Sequence, residues 1–94
     1  MGRCCSVELF GPARLLAGVK QVDVEMEAAV SLGALIPALA ARCPVLIGPV
    51  LDLERGALVD GYILNRNGRD FLADTNAIVR PGDRLLLLAN LGGG

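Results

Sequence analysis

The chain has 94 residues, of which 53% are apolar, 3% aromatic and 20% charged, with nine basic and ten acidic side chains and a formal net charge of -1. A chain of this length makes one domain, and high apolar content at almost zero net charge excludes intrinsic disorder. Even charge without a basic block excludes an electrostatic footprint for nucleic acid, and the absence of His removes the commonest general base and the commonest metal ligand.

Folding a chain this long buries roughly two-thirds of its surface, enough for one small core. With no Trp, one Tyr and two Phe, that core has to be built from Leu, Val, Ile and Ala. Three cysteines, Cys4, Cys5 and Cys43, lack the paired spacing of a metal site. Cys4 and Cys5 point to opposite faces if they lie on a strand, so all three are read as free thiols of a reducing compartment. The longest apolar stretch, Ala28 to Ala41, is shorter than the roughly 20 residues that span a bilayer, and Gly33 and Pro37 interrupt it. Glu8 and Arg14 break the start of the chain where a secretory signal would be apolar. Met1-Gly2-Arg3-Cys4-Cys5-Ser6 fits the loose N-myristoylation pattern, but it merges into a strand and leaves no flexible arm for a lipid. The expected location is the cytoplasm, with no membrane contact.

In chain order, Arg3 to Phe10 reads as a strand with Cys5, Val7 and Leu9 on its buried face. Gly11-Pro12 breaks it, and Ala13 to Ala17 has room for one helical turn. After Gly18, the residues Val19 to Met26 alternate, with Val22, Val24 and Met26 against Gln21, Asp23 and Glu25. That predicts a second strand with one wet face, forming a hairpin with the first. Ser31 is a helix N-cap, and Leu32, Leu35, Ile36, Leu39, Ala40 and Cys43 recur at helical spacing. Pro37 should bend this helix or delay its start. Cys43-Pro44 ends it. Pro49 suits a first helical position, so Val50 to Arg55 is predicted as a short second helix closed by Gly56.

Tyr62, Ile63 and Leu64 form the core of a third strand, Asn67-Gly68 marks a type I′ turn, and Arg69 to Leu72 returns as a short strand. Arg80-Pro81-Gly82-Asp83 is another turn, with Pro at the position whose φ it presets. Arg84 to Asn90 is the last strand. Its run Leu85 to Leu88 is apolar on both faces, which describes a central strand covered on both sides or nearly so. Strand, strand, helix, strand, short strand and strand, with the first and last in the middle of a mixed sheet, is an α+β, β-grasp arrangement. It has four to five strands, one main helix on one face and a short second helix. The domain is expected over 1–91, with 92–94 as a flexible glycine tail.

Candidate chemistry is sparse. Asp23, Glu25 and Glu27 read as a solvated face, as do Asp52 and Glu54. Arg14, Arg66, Arg69, Arg80 and Arg84 read as surface charges, and Lys20 is the sole lysine. Gly92, Gly93 and Gly94 are not a phosphate loop, because no helix or Lys follows. Glycine carries no side chain and adopts any φ, so such an end can thread a narrow channel and present its carboxylate.

The run Val7-Glu8-Leu9-Phe10-Gly11-Pro12-Ala13-Arg14-Leu15-Leu16-Ala17-Gly18, the Leu/Ala-rich helix, Tyr62-Ile63-Leu64-Asn65, Arg80-Pro81-Gly82-Asp83 and the closing glycines together resemble the MoaD/ThiS family of ubiquitin-like sulfur carriers, from about Val7 onwards. The resemblance implies a protein that is not itself an enzyme and binds no cofactor. A ubiquitin-activating-type adenylyltransferase uses ATP to adenylate the terminal glycine, and a persulfide sulfur donor then converts it to a thiocarboxylate. It implies Gly94 as the reactive end, Gly92 and Gly93 as the threading tail, and an apolar partner surface for which Leu91 and Phe71 are the candidates. The partner that receives the sulfur is the molybdopterin synthase large subunit in MoaD-like members and a thiazole synthase in ThiS-like members. Chain length and the second helix favour the MoaD type. The family ends in two glycines and this chain has three, so the motif is read as Gly93-Gly94. A ubiquitin-like protein modifier and a β-grasp interaction module with an inert tail are the alternatives.

Overall fold

The structure, a computed structural model, describes residues 3–89. Its central sheet has the order β2-β1-β9-β6-β7, formed by β1 (Cys4–Leu9), β2 (Gln21–Glu25), β6 (Tyr62–Arg66), β7 (Asp70–Leu72) and β9 (Arg84–Ala89). Two short pairs lie outside it, β3 (Val30–Ser31) with β8 (Ile78–Val79) and β4 (Leu51–Asp52) with β5 (Ala57–Leu58). The helices are α1 (Gly11–Ala17) and α2 (Leu32–Arg42), with a 3-10 turn at Pro44–Leu46. β1 and β9 run parallel, and every other pairing in the sheet is antiparallel. This is the expected α+β, β-grasp architecture. Leu91, Gly92, Gly93 and Gly94, and with them the expected tail, lie outside the described residues.

The apolar alternation finds its core. Cys5, Val7 and Leu9 of β1, Leu85 and Leu87 of β9, and Leu64 of β6 are all fully buried. Val22 and Val24 of β2 continue this inward face, and α2 closes it with Leu32, Leu35, Ile36, Leu39 and Ala40. The first two strands are antiparallel neighbours as expected, and the helical turn expected between them is the seven-residue helix α1. Gly11 and Pro12 begin that helix instead of preceding it, since Pro suits a position whose N–H would lack an intrahelical partner anyway.

Ser31 caps α2, its Oγ accepting from the Ala34 N–H at 3.2 Å. The carbonyls of Ala77 and Thr75 accept from the N–H groups of Leu32 and Gly33, at 2.8 and 2.9 Å. The helix therefore starts at Leu32 without delay, in spite of Pro37 inside it. Pro37 has no N–H to offer the Gly33 carbonyl one turn back. Gly56 packs against that segment: a Cβ there would sit 3.3 Å from both the Cα and the carbonyl oxygen of Gly33.

Val50 to Arg55 is not a helix. Leu51–Asp52 pairs with Ala57–Leu58 instead, and the residues between them turn. The reason is Asp52, whose Oδ1 accepts from the N–H groups of Glu54 and Arg55 at 3.1 and 3.2 Å. Arg55 Nε donates to Oδ2 at 2.7 Å, and this hydrogen bond holds the Asp52 carboxyl below its ordinary pKa. An Asp that bonds its own backbone competes with the helix ladder, and Gly56 at φ 61° completes the turn. The short second helix of the fold is thus α1, and one of the two features favouring the MoaD type falls away. Asn67-Gly68 behaves as its sequence requires, with φ 55° and 71° and the Arg69 N–H donating to the Arg66 carbonyl at 2.9 Å.

Gly56 and Gly68 separate two costs of adding a methyl group. Both have positive φ, but a Cβ on Gly68 meets nothing within 4 Å. Gly68→Ala should cost about 1 kcal/mol from backbone conformation alone, and Gly56→Ala about 3 kcal/mol, because the Gly33 backbone must also shift. Urea unfolding of the two variants checks this, and equal losses would show that the Gly56–Gly33 contact is slack.

Burial fixes the chemistry of the thiols. Desolvation, reinforced by the nearby Asp83 carboxylate, pushes Cys5 from 9.0 up to about 12, and burial also raises Cys43. Iodoacetamide at mildly alkaline pH should modify the half-buried Cys4 in the native protein, and Cys5 and Cys43 only after unfolding. Because the Cys5 pKa is raised on folding, the stability it contributes is complete below 9.0 and is lost as pH rises towards about 12. Urea midpoints on either side of pH 9.0 should fall more steeply for the wild type than for Cys5→Ala.

Candidate functional site

β9 is the middle strand of the sheet, and its last residue, Ala89, lies at the centre of one sheet end. The position of Ala89 is set by its neighbours. Leu9 lies opposite Leu87 in parallel register, the Phe10 N–H donates to the Leu87 carbonyl at 3.2 Å, and Tyr62 lies opposite Ala89. α1 packs beside the same end, where a Cβ on Gly11 would meet the Ala89 methyl at 3.9 Å. Ala89, the last described residue, therefore lies beside Tyr62 at the start of β6, near the end of β1.

The sheet face turned away from α2 leads to this sheet end. Register places Glu8, Leu86, Asn65 and Phe71 in one row across β1, β9, β6 and β7. Leu88 and Ile63 form the next row towards that end, and Ser6 and Arg84 the next row away from it. Leu86, Leu88 and Ile63 are half-buried, and Phe71 is 61% exposed. A groove of about 430 Å³ runs along β9, lined by Glu8, Phe10, Asn67, Gly68, Arg84 and Leu86. One charge of each sign, Glu8 and Arg84, lies at its side.

The far end of β9 is pinned by polar contacts. Asn67 Oδ1 accepts from the Arg84 N–H at 2.8 Å, and the Arg84 carbonyl accepts from the Asn67 N–H at 2.7 Å, so Asn67 extends the β6–β9 ladder by one rung. In the Arg80–Asp83 turn, the Asp83 N–H donates to the Arg80 carbonyl at 3.0 Å and the Gly82 N–H to the Cys4 carbonyl at 2.8 Å. Arg66 ties β6 to β7 and β8 through Asp70 Oδ2 at 2.8 Å and the Ile78 carbonyl, and the hydrogen bond to Asp70 raises its pKa further. Arg66 thus acts as a brace between strands rather than as a free surface charge.

Of the residues expected from sequence to carry function, Phe71 lies on the open face and Gly92, Gly93, Gly94 and Leu91 fall outside the described residues. The structure adds Phe10, Ile63, Leu86 and Leu88 to the apolar surface beside Phe71. The reading of Leu85 to Leu88 as covered on both sides or nearly so holds in its weaker form: Leu85 and Leu87 are fully buried, whereas Leu86 and Leu88 are half-buried and keep solvent contact. The sheet has the α2 layer on one face, and a four-leucine run contains no alternation from which the second face could be read. Among the described residues no group of three or more His, Cys, Asp or Glu side chains is placed to hold a metal ion, and no helix is long and apolar enough to cross a membrane.

A scan of family models and a search of curated proteins return no match for this sequence. Solved structures do match. SAMP1 from Haloferax volcanii is 27% identical with a TM-score of 0.78, over 97% of this chain and 99% of that one. The small archaeal modifier protein 1 from Methanosarcina acetivorans is 19% identical with a TM-score of 0.72, over 100% and 99% of the two chains. Urm1 from Trypanosoma brucei is 17% identical with a TM-score of 0.68, over 99% and 97%. The chain therefore has the ubiquitin-like β-grasp fold that these small proteins share, over essentially their whole length.

Proposed function

We propose that this protein is a sulfur carrier whose terminal carboxylate, on Gly94, is adenylated and converted to a thiocarboxylate, and that it donates this sulfur for molybdopterin synthesis as the small subunit of molybdopterin synthase. The observation that carries the reading is the direct continuation of the central strand β9 into Asn-Leu-Gly-Gly-Gly. β9 is paired on both sides as far as Leu87 and with β6 as far as Ala89, and three residues without side chains suit a narrow active site.

The chemistry belongs to the partners, which fits a chain without His. The carboxylate of Gly94 attacks the α-phosphate of ATP on a ubiquitin-activating-type adenylyltransferase, and pyrophosphate leaves. The outer sulfur of a donor persulfide then attacks the acyl carbon and AMP leaves. A second donor thiol cleaves the S–S bond, which leaves the sulfur on Gly94 and oxidises the two donor thiols to a disulfide. Lys20 is the only lysine among nine basic residues, so the activated acyl group meets almost no amine on its own chain. Phe71, with Leu91, is the proposed apolar contact for the partner. The cytoplasm, where ATP and reduced thiols are abundant, suits these steps.

Protein modification through the same activated carboxylate is the second reading, favoured by a fold shared with small archaeal modifier proteins. Intact-mass spectrometry separates the two. Incubation with ATP, the adenylyltransferase and a persulfide donor should replace one oxygen of the chain by sulfur. Denaturing gels should show no larger conjugates, whereas abundant conjugates without thiocarboxylate would establish the modifier. Deleting Gly93 and Gly94 should leave the melting temperature unchanged and abolish adenylation. Phe71→Ala should also leave the melting temperature unchanged while raising the KM for the carrier about tenfold, the usual effect of truncating an aromatic interface anchor.

A further inference from the structure

α1 presents apolar side chains that the core does not use. Leu15 is 85% exposed, and Leu16 beside it, Val19 just after the helix and Val45 of the 3-10 turn are exposed as well. α1 packs against that turn, so these residues belong to neighbouring elements. Single apolar residues on a surface are ordinary, but four on packed neighbours form a patch. Val19 joins two clefts there. One, of about 330 Å³, is lined by Arg14, Leu15, Gly18, Val19 and Lys20. The other, of about 420 Å³, brings Ala41 and Arg42 to Val19 and Val22. Asp23 also lines the second cleft, and Gln21 Nε2 donates to its Oδ1 at 2.8 Å.

The charge that this part of the chain carries is of one sign. All ten acidic residues lie outside 9–22 and 28–51, the two stretches that supply α1, the residues after it, α2 and the 3-10 turn. Arg14, Lys20 and Arg42 lie within them, are exposed and make no ion pair among the described residues, whereas Arg55 and Arg66 are paired with Asp52 and Asp70.

We propose that α1 and the residues around Val19 are a docking surface distinct from the open sheet face, and that its occupant is a segment of another protein in which aliphatic side chains alternate with carboxylates. The aliphatic side chains enter the clefts on either side of Val19 and cover Leu15 and Leu16, while the carboxylates pair with Arg14, Lys20 and Arg42. Unpaired cations around an apolar patch attract an acidic partner and turn away a basic one. An anionic lipid surface also bears negative charge, but it holds proteins through clusters of about four to eight cations or through long amphipathic helices. Here the cations are Arg14, Lys20 and Arg42, and α1 has seven residues. Clefts accept single side chains and serve no purpose on a lipid surface. This surface needs neither the carrier reading nor residues 90–94.

The test is an amide-resolved NMR titration of the full chain with a short end-blocked peptide of alternating Glu-Glu and Leu-Leu pairs. Amides of α1, of Gly18 to Lys20 and of Ala41 to Ile47 should shift, with a Kd at or below about 1 mM. Replacing the peptide's Leu by Ser, or its Glu by Lys, should weaken binding about tenfold or more. Leu15→Ala, and separately Arg14→Gln combined with Lys20→Gln, should weaken it about tenfold at unchanged melting temperature, because these side chains are exposed. Equal binding to the wild type and to Leu15→Ala overturns the proposal, as does equal binding of the Lys-containing peptide, which would leave the cations no role. No binding at millimolar peptide, or shifts confined to the open face around Phe71 and Leu86, overturns it too. Phosphatidylglycerol vesicles, and a rise in protein concentration alone, should leave the α1 amides unmoved. Shifts with vesicles in place of the peptide would make the occupant a membrane, and shifts on concentration would make it a second copy of this chain; either overturns the assignment to an acidic protein segment.

Discussion

Ser6 to Leu9 lies in parallel register with Arg84 to Leu87, so strands from the two ends of the chain lie side by side in the middle of the sheet. Almost everything else in the molecule has to be accommodated around that pairing. Parallel strands need a long crossover, and here the crossover contains α2 and both short strand pairs. The pairing also sets the core, because Val7 and Leu9 of β1 meet Leu85 and Leu87 of β9 under the buried face of α2. The central strand β9 keeps a partner on both sides as far as Leu87 and on the β6 side as far as Ala89.

The same layering produces the open face. One helix layer covers one side of a sheet whose central strand is apolar on both sides, so Leu86 and Leu88 remain only half-buried. Phe71 on edge strand β7 and Ile63 on β6 enlarge that surface, while Glu8 and Arg84 bound it with opposite charges. An apolar strip of this kind is common at protein interfaces, where aromatic anchors dominate. Here it includes Leu86 and Leu88 of β9, the strand that the glycine run follows in sequence. The buried thiols take no part in it: Cys5 and Cys43 have raised pKa values, which keeps them protonated and unreactive near neutral pH.

Much of this was legible in order along the chain. Cys5, Val7 and Leu9, the alternation of Val22 and Val24, the Ser31 cap with its helical repeat, and the Asn67-Gly68 turn each carry their own local signal, and each forms what that signal requires. The failures share one cause. Pro49 and the apolar residues after it gave a helical pattern, but Asp52 could satisfy the N–H groups of Glu54 and Arg55 itself, and that competition depends on geometry rather than spacing. Pro37 argued for a late or bent helix, yet the carbonyls of Thr75 and Ala77, some forty residues away in sequence, fix its start at Leu32.

The sequence by itself determined the β-grasp order of elements, the aliphatic inward faces, the turns, and the presence of a glycine run after an apolar strand, because all of these follow from local periodicity and residue conformation. Only the tertiary structure decided which leucines of the Leu85–Leu88 run are covered, that Phe71 stands beside them, and that Asn65 is enclosed between Leu86 and Phe71 with an unpaired carbonyl. Those three facts depend on which strands become neighbours and which face the helix takes. Pairing of β9 with β6, about twenty positions away at Asn65 and Leu86, and with β1, more than seventy away, leaves no mark on the local pattern of any of these strands.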